Sequence, residues 1–220
     1  MIFVNFKTYQ EGTGSQAVKL AKICQKVSHQ TRIEIAAVVQ AADISPITKK
    51  TSLPVWAQHV DSINYGPHTG QILPEVILTA GARGTLLNHS EKKLPPEVIK
   101  ETISRCHDLG LKVLVCSENL EEAQEIVQAG PDLIAYEPPE LIGSQTASVS
   151  SAKQEVIKDF TSQISKVPVL VGAGIHAQED VKKAVELGAV GILVASDIVL
   201  AGNPEKELLD LAQGFKNEKV

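Results

Sequence analysis

The chain has 220 residues, 43% of them hydrophobic and 21% charged, with a formal net charge of −5 and a pI near 5.7. Its lysines and arginines are scattered and pair only at Lys49–Lys50, Lys92–Lys93 and Lys182–Lys183, which suit solvated helix faces and exclude a basic nucleic-acid surface. No apolar run is long enough to span a bilayer, and an odd set of cysteines without C-x-x-C spacing (Cys24, Cys106, Cys116) suits reduced, buried thiols in a cytoplasm.

The first strand, "IFVNF", begins almost at Met1, with no basic n-region or small-residue cleavage site ahead of it, so no signal peptide is expected. Further strands follow as "IEIAAVV", "LPVWAQ", "GTLLN", "KVLVC", "DLIAY", "PVLVG" and "GILVA". They are apolar on both faces, as a buried parallel sheet requires. Between them run helical stripes: Ala17, Leu20, Ala21, Cys24 and Val27, then Ile99, Thr102, Ile103 and Cys106. Ala123, Ile126 and Val127, then Val181, Ala184 and Val185, and finally Leu208, Leu211, Ala212 and Phe215 continue the pattern. Glycine closes three helices in "DLGLKV", "QAGPDL" and "ELGAVG". Eight strands alternating with helices predict one domain over residues 1–220, a closed α/β barrel of the (β/α)8 TIM type; a doubly wound open sheet is the alternative. Pro46 and Pro54 shorten the helix between the second and third strands, where boundaries are hardest to read.

In such a barrel, chemistry collects at the C-terminal ends of the strands. Strand one ends in "NFKTY", whose alternation turns Asn5 and Lys7 to one side and Phe6 to the other. By residue type alone, Lys7 suits a rim lysine as well as a site cation. Strand four ends in "NHSEKK": His89 suits a structural or a catalytic histidine, and Ser90–Glu91 suggest the first turn of a helix aimed at the ring. Strand six leads into "AYEPPELIG", where a lone acid, Glu137, precedes the rigid pair Pro138–Pro139. Strand seven ends in "VGAGI" and strand eight in "VASDI", small residues whose backbone N–H groups could approach an anion. His59 and Asp61 in "QHVD" lack further ligands at sensible spacing, so no metal is expected; His29, His107 and His176 are read as lying away from the mouth.

In this order and on these strands, "NFKTY", "NHSE", "AYEPPELIG", "VGAGI" and "GILVAS" resemble the triosephosphate isomerase family, over Asn5 to Ser196. The shortness of the chain, "YQEGTG" and "AQHVD" are similar to its compact, archaeal-type branch. The resemblance implies a cofactor-free isomerase of glycolysis and gluconeogenesis, passing a proton between dihydroxyacetone phosphate and D-glyceraldehyde 3-phosphate through an enediolate. It further implies that Glu137 is the general base, His89 a neutral electrophile and Lys7 a cation for the enediolate, with Asn5 orienting substrate and Glu91 holding Lys7. Phosphate would meet the backbone N–H groups of Ile142 or Gly143, Gly174, Ala195 and Ser196, while Ile142 and Leu193 desolvate the base. Pro138–Pro139 would be the hinge, and "ELIG" the tip, of a lid. The sequence departs from the commoner family pattern at the lid tip, in "SQTAS" after Gly143, and at Ala173 and Ala195, where larger members often carry glycine.

The loop "VDSINYGPHTGQILP" is long for a compact domain. By resemblance it reaches a partner subunit's site through Thr69, implying a homodimer or homotetramer and no nucleic-acid or membrane partner. Two other activities fit the same fold: a lyase using Lys7 as a Schiff-base nucleophile, and a phosphosugar-binding protein without turnover.

Overall fold

Eight short apolar segments pair in parallel, each with the next in the chain, and the eighth returns to the first. They are β1 (Ile2–Asn5), β2 (Ile35–Val39), β3 (Val55–Ala57), β4 (Gly84–Leu87), β5 (Lys112–Ser117), β6 (Leu133–Tyr136), β7 (Val169–Val171) and β8 (Gly191–Val194). This computed structural model describes residues 1–138, Ser148 and residues 154–215. The β1–β8 pairing, with Ile2 beside Ile192 and Phe3 beside Leu193, closes the barrel and rules out the open sheet.

Helices cover the outside: α1 (Gly14–Thr31), α2 (Ala41–Thr48), α3 (Pro74–Thr79), α4 (Pro96–Asp108), α5 (Leu120–Gln128), α6 (Gln154–Gln163), α7 (Gln178–Glu186), α8 (Ser196–Val199) and α9 (Pro204–Gln213). Their apolar stripes are those of the sequence pattern, and Gly110, Gly130 and Gly188 follow α4, α5 and α7 with positive φ, as helix-closing glycines do. Boundaries shift most in the second and third units. β2 starts at Ile35 rather than Ile33, β3 is three residues long, and α2 carries Pro46 inside it and stops two residues later. Proline removes a helical N–H and crowds the preceding turn, so α2 stays short.

Period-two alternation divides the core into two shells. Ile2, Val4, Val39, Val113 and Val171 face the helices. Phe3, Ala36, Val38, Trp56, Leu86, Leu114, Cys116, Leu133, Ala135, Leu170 and Leu193 fill the barrel. Phe3 meets Trp56 edge-on with ring centroids 5.0 Å apart. The indole fits because the neighbouring inward position is Gly84, where an added Cβ would lie 2.7 Å from the Trp56 ring and 2.3 Å from the Lys112 carbonyl oxygen. Gly84→Ala is therefore expected to destabilise the fold by about 1–3 kcal/mol, the usual cost of overpacking a filled core. Urea unfolding followed by Trp56 fluorescence reads this, and an unchanged midpoint would mean that β4 yields freely there.

Candidate active site

The mouth of the barrel begins one inward step above the apolar filling. On β1 the inward series runs Phe3, Asn5, Lys7, while Phe6 is fully buried in the outer shell, as alternation predicts. Lys7 has φ 47, in the left-handed region that non-glycine residues rarely adopt. Two neighbours hold it there. Its N–H donates to Asn5 Oδ1 (3.0 Å), and Gln58 Nε2 donates to its carbonyl oxygen (2.8 Å) and to Asn5 Oδ1 (3.3 Å). The ammonium then reaches Glu91 Oε1 at 2.7 Å.

At the end of β4 the chain turns through Asn88, also at positive φ (56), a conformation Asn tolerates better than most residues. Asn88 is buried and saturated. Its Nδ2 donates to the Cys116 carbonyl oxygen and to Glu122 Oε1, and its Oδ1 accepts from the Leu94 N–H. Residues 89–92 form a tight turn, with the Lys92 N–H donating to the His89 carbonyl oxygen, and the expected helix at Ser90–Glu91 is absent. Helix α4 starts only at Pro96, because Pro95 is extended and Pro96 takes the first helical position. Lys92 and Lys93 accordingly lie in this connection rather than on a helix face. No described helix starts at His89. Instead the Glu91 N–H donates to His89 Nδ1 at 3.1 Å. A ring nitrogen that accepts carries no proton, so the hydrogen of the neutral ring sits on Nε2, 3.5 Å from Glu137 Oε1.

Glu137 is 5% exposed, one inward step beyond Ala135. Burial holds its carboxyl above the ordinary carboxylate range, against the opposing pull of His89, the Cys116 thiol, the Ser90 N–H and Lys7. The Cys116 thiol is pushed well up in turn by its own burial and by the Glu137 charge, which keeps it a thiol and a donor. Space for the acid comes from Gly172 at the end of β7, where a Cβ would lie 2.7 Å from Glu137 Cγ.

The far wall of the pocket is formed by the loops after β7 and β8. Gly172, Ala173, Gly174, Ile175 and His176 follow β7, and Ala195, Ser196 and Asp197 follow β8. They enclose with Asn5, Lys7, His89, Ser90, Glu137 and Leu193 a cavity of about 580 Å³. His176 thus lines the mouth, contrary to the sequence reading, because the loop after β7 turns back over the barrel before α7 begins. Asn5, Lys7, His89, Glu137, Gly174, Ala195 and Ser196 come together as expected, and Glu91 joins them through Lys7. Ile142, Gly143 and the lid tip lie outside the described residues. His59 and Asp61 have a structural occupation: His59 Nε2 meets Asp61 Oδ1 at 3.1 Å, and Asp61 Oδ2 accepts from the Ile72 N–H, tying the base of the long loop.

Sequence reading passed over Gln58, Asn88, Cys116 and Glu122 as site residues. Gln58 and Cys116 were legible in one respect only, as inward or strand-end positions beside the mouth. Asn88 and Glu122 act through contacts between distant segments, which no local pattern carries.

Because folding raises the Glu137 pKa, the unfolded chain gives up this proton at lower pH than the folded one. Its stabilising contribution is present in full below the unfolded carboxylate pKa and is lost as pH rises through the folded value. Glu137→Gln cannot ionise and should gain stability relative to the parent protein as pH rises from about 4 to about 8. Urea midpoints of the two proteins across that range give the comparison; a constant difference would mean that burial does not perturb this acid.

The chain matches the family model for triosephosphate isomerase over residues 1–213. It is 43% identical to the triosephosphate isomerase of Methanocaldococcus jannaschii over 215 residues, covering 96% of this chain and 98% of the relative. It is 44% identical to that of Methanobacterium bryantii over 215 residues, covering 96% and 95%. Among solved structures, triosephosphate isomerase from Bartonella henselae superposes with a TM-score of 0.74 over 97% of this chain and 96% of that one, at 17% identity, a likeness of fold.

Proposed function

The chain belongs to the triosephosphate isomerase family and interconverts dihydroxyacetone phosphate and D-glyceraldehyde 3-phosphate; on that premise we propose that Glu137, His89 and Lys7 carry out the proton transfer in the mouth of the barrel. Glu137 takes the proton from one carbon of the substrate and returns it to the next. A carboxylate suits this task when its pKa is raised towards the working pH, and burial acts on Glu137 in that direction. His89 donates from Nε2 to the oxygens of the enediolate. Using a neutral imidazole as the donor is the well-known solution in this family. Lys7 offsets the negative charge of the intermediate, Glu91 steadies its ammonium, and Asn5 orients the substrate.

The observation that carries this reading is the hydrogen bond from the Glu91 N–H to His89 Nδ1, because it directs the one ring proton to the side where Glu137 and the pocket lie. Phosphate is held by the backbone N–H groups of Gly174, Ala195 and Ser196, with Ile142 or Gly143 contributing from the lid, and Leu193 helps keep water from Glu137. Glu137→Gln should lower kcat by at least about a hundredfold with much less effect on the affinity of a phosphate analogue. A coupled assay in both directions reads the first quantity and competitive inhibition the second. Parent-like turnover in a clean preparation would remove Glu137 from the role.

We further infer that the chain self-associates, as a homodimer or homotetramer, through the loop around Thr69. Residues 64–71 are exposed, Tyr65 to 77%, while Asp61 and Ile72 pin the base of the loop. An aromatic side chain so exposed on an anchored projection suits burial against a second subunit. Native mass measurement should find an oligomer, and Tyr65→Asp with Thr69→Arg should weaken assembly and activity together. A fully active monomer would overturn the inference. We place the enzyme in the cytoplasm, where the free thiols of Cys24, Cys106 and Cys116 are at home.

A further inference from the structure

The anion side of the pocket is built from two loops that belong to different strands, and a single phosphate must meet N–H groups from both. Donors serving one ligand have to keep their spacing to within a few tenths of an ångström, so something must hold the loops together. Among the described residues, a side-chain hydrogen bond joins them: His176 Nδ1 to Asp197 Oδ2 at 3.1 Å. We propose that His176 and Asp197 form a clamp that fixes the loops after β7 and β8 at the spacing a phosphate needs, which makes both of them positioning residues for substrate. The proposal rests on the reading that these loops bind phosphate.

Both ends of the clamp are anchored. The His176 and Ala177 N–H groups donate to Asp180 Oδ2 in the first turn of α7, at 3.0 and 3.1 Å. Asp197 stands in α8, whose Ile198 and Val199 are buried in the outer shell. The imidazole itself is held from one side. Among the described residues Nε2 is shielded from solvent and has no hydrogen-bond partner, so the contact with Asp197 sets the orientation of the ring. The side chains of His176 and Asp197 are 31% and 47% exposed, and a polar contact that wet adds little to global stability. Its effect belongs in the local geometry of the two loops.

Charge provides a test with opposite signs. A carboxylate beside an anion pocket repels the anion, so if Asp197 acted only as a charge, removing it would tighten anion binding. If it acts as half of a clamp, removing it loosens the site. The probe is inorganic sulfate, a dianion that keeps its charge throughout the neutral range, used as a competitive inhibitor of the intact enzyme. Asp197→Ala and His176→Ala should each raise the sulfate Ki and the substrate KM about five- to tenfold, the change expected for losing one partly exposed hydrogen bond, with a smaller change in kcat. The double variant should be no worse than either single one, because each single change already opens the clamp. His176→Asn, whose Nδ2 can stand where Nδ1 stood, should recover most of the affinity. If Asp197→Ala does not fold, Asp197→Asn serves: a higher Ki supports the clamp, and an unchanged Ki or tighter sulfate binding overturns it. Additive effects of the two alanine changes, or thermal destabilisation with no change in Ki, also overturn it. Failure of sulfate to compete in the parent enzyme would instead refute the phosphate reading on which the clamp rests.

Discussion

Closure of the barrel makes every inward-pointing position a shared one. Eight parallel strands leave no free edge, so their side chains must alternate strictly between a filled interior and a helix-covered exterior. Once Phe3, Leu86, Ala135 and Leu193 are spent on the interior, the next inward or strand-end residues can only converge on one opening. Asn5 and Lys7, the Asn88–His89 corner, Glu137 and Ala195 meet there although up to 190 residues separate them. A register shift of one residue would exchange the two shells and turn these groups outwards, so the apolar packing of the barrel and the assembly of its polar mouth depend on the same alternation.

The apolar filling also sets the electrostatics above it. Glu137 is buried one inward step beyond Ala135 and lines the pocket with Leu193, so its carboxyl rises, and the groups that oppose the rise are His89, the Cys116 thiol, the Ser90 N–H and Lys7. Local strain is used nearby. Lys7 and Asn88 both occupy the left-handed region, and each is held by an amide side chain, Gln58 for the first and its own for the second. Glu122 completes this support. Although burial pushes its carboxyl up, Lys93, the Glu118 N–H and Asn88 hold it below the ordinary range, so it stays an acceptor for Asn88.

The order and type of every strand were legible because buried parallel strands are apolar throughout, and Asn5, Lys7, His89 and Glu137 were legible because each sits where such a run stops. What escaped notice has a common physical character. The turn at Ser90–Glu91 was mistaken for a helix because the acidic, hydroxyl-bearing pattern of a helix start is also that of a tight turn, and only Pro95–Pro96 marks the true beginning. His176 was assigned away from the mouth because its position depends on how far the loop after β7 folds back, a matter of tertiary packing around Asp180. Gln58 and Glu122 support residues 51 and 34 positions away, distances that periodicity cannot span.

The mouth has two halves that follow different rules. On the side of β1, β4 and β6 the functional groups are side chains, each fixed by one or more hydrogen bonds, so residue identity matters at every position. On the side of β7 and β8 the wall follows two loops of mostly small residues, and what matters is the path of the chain. Ala173 and Ala195 both lie on that path. Neither has a positive φ, whereas Gly174 does, at 70, a conformation in which a Cβ would be strained. The alanines therefore preserve the path while narrowing its freedom, since an alanine has fewer accessible backbone states than a glycine. The side of β1, β4 and β6 is thus specified by the identity of its side chains and the side of β7 and β8 by the shape of its backbone.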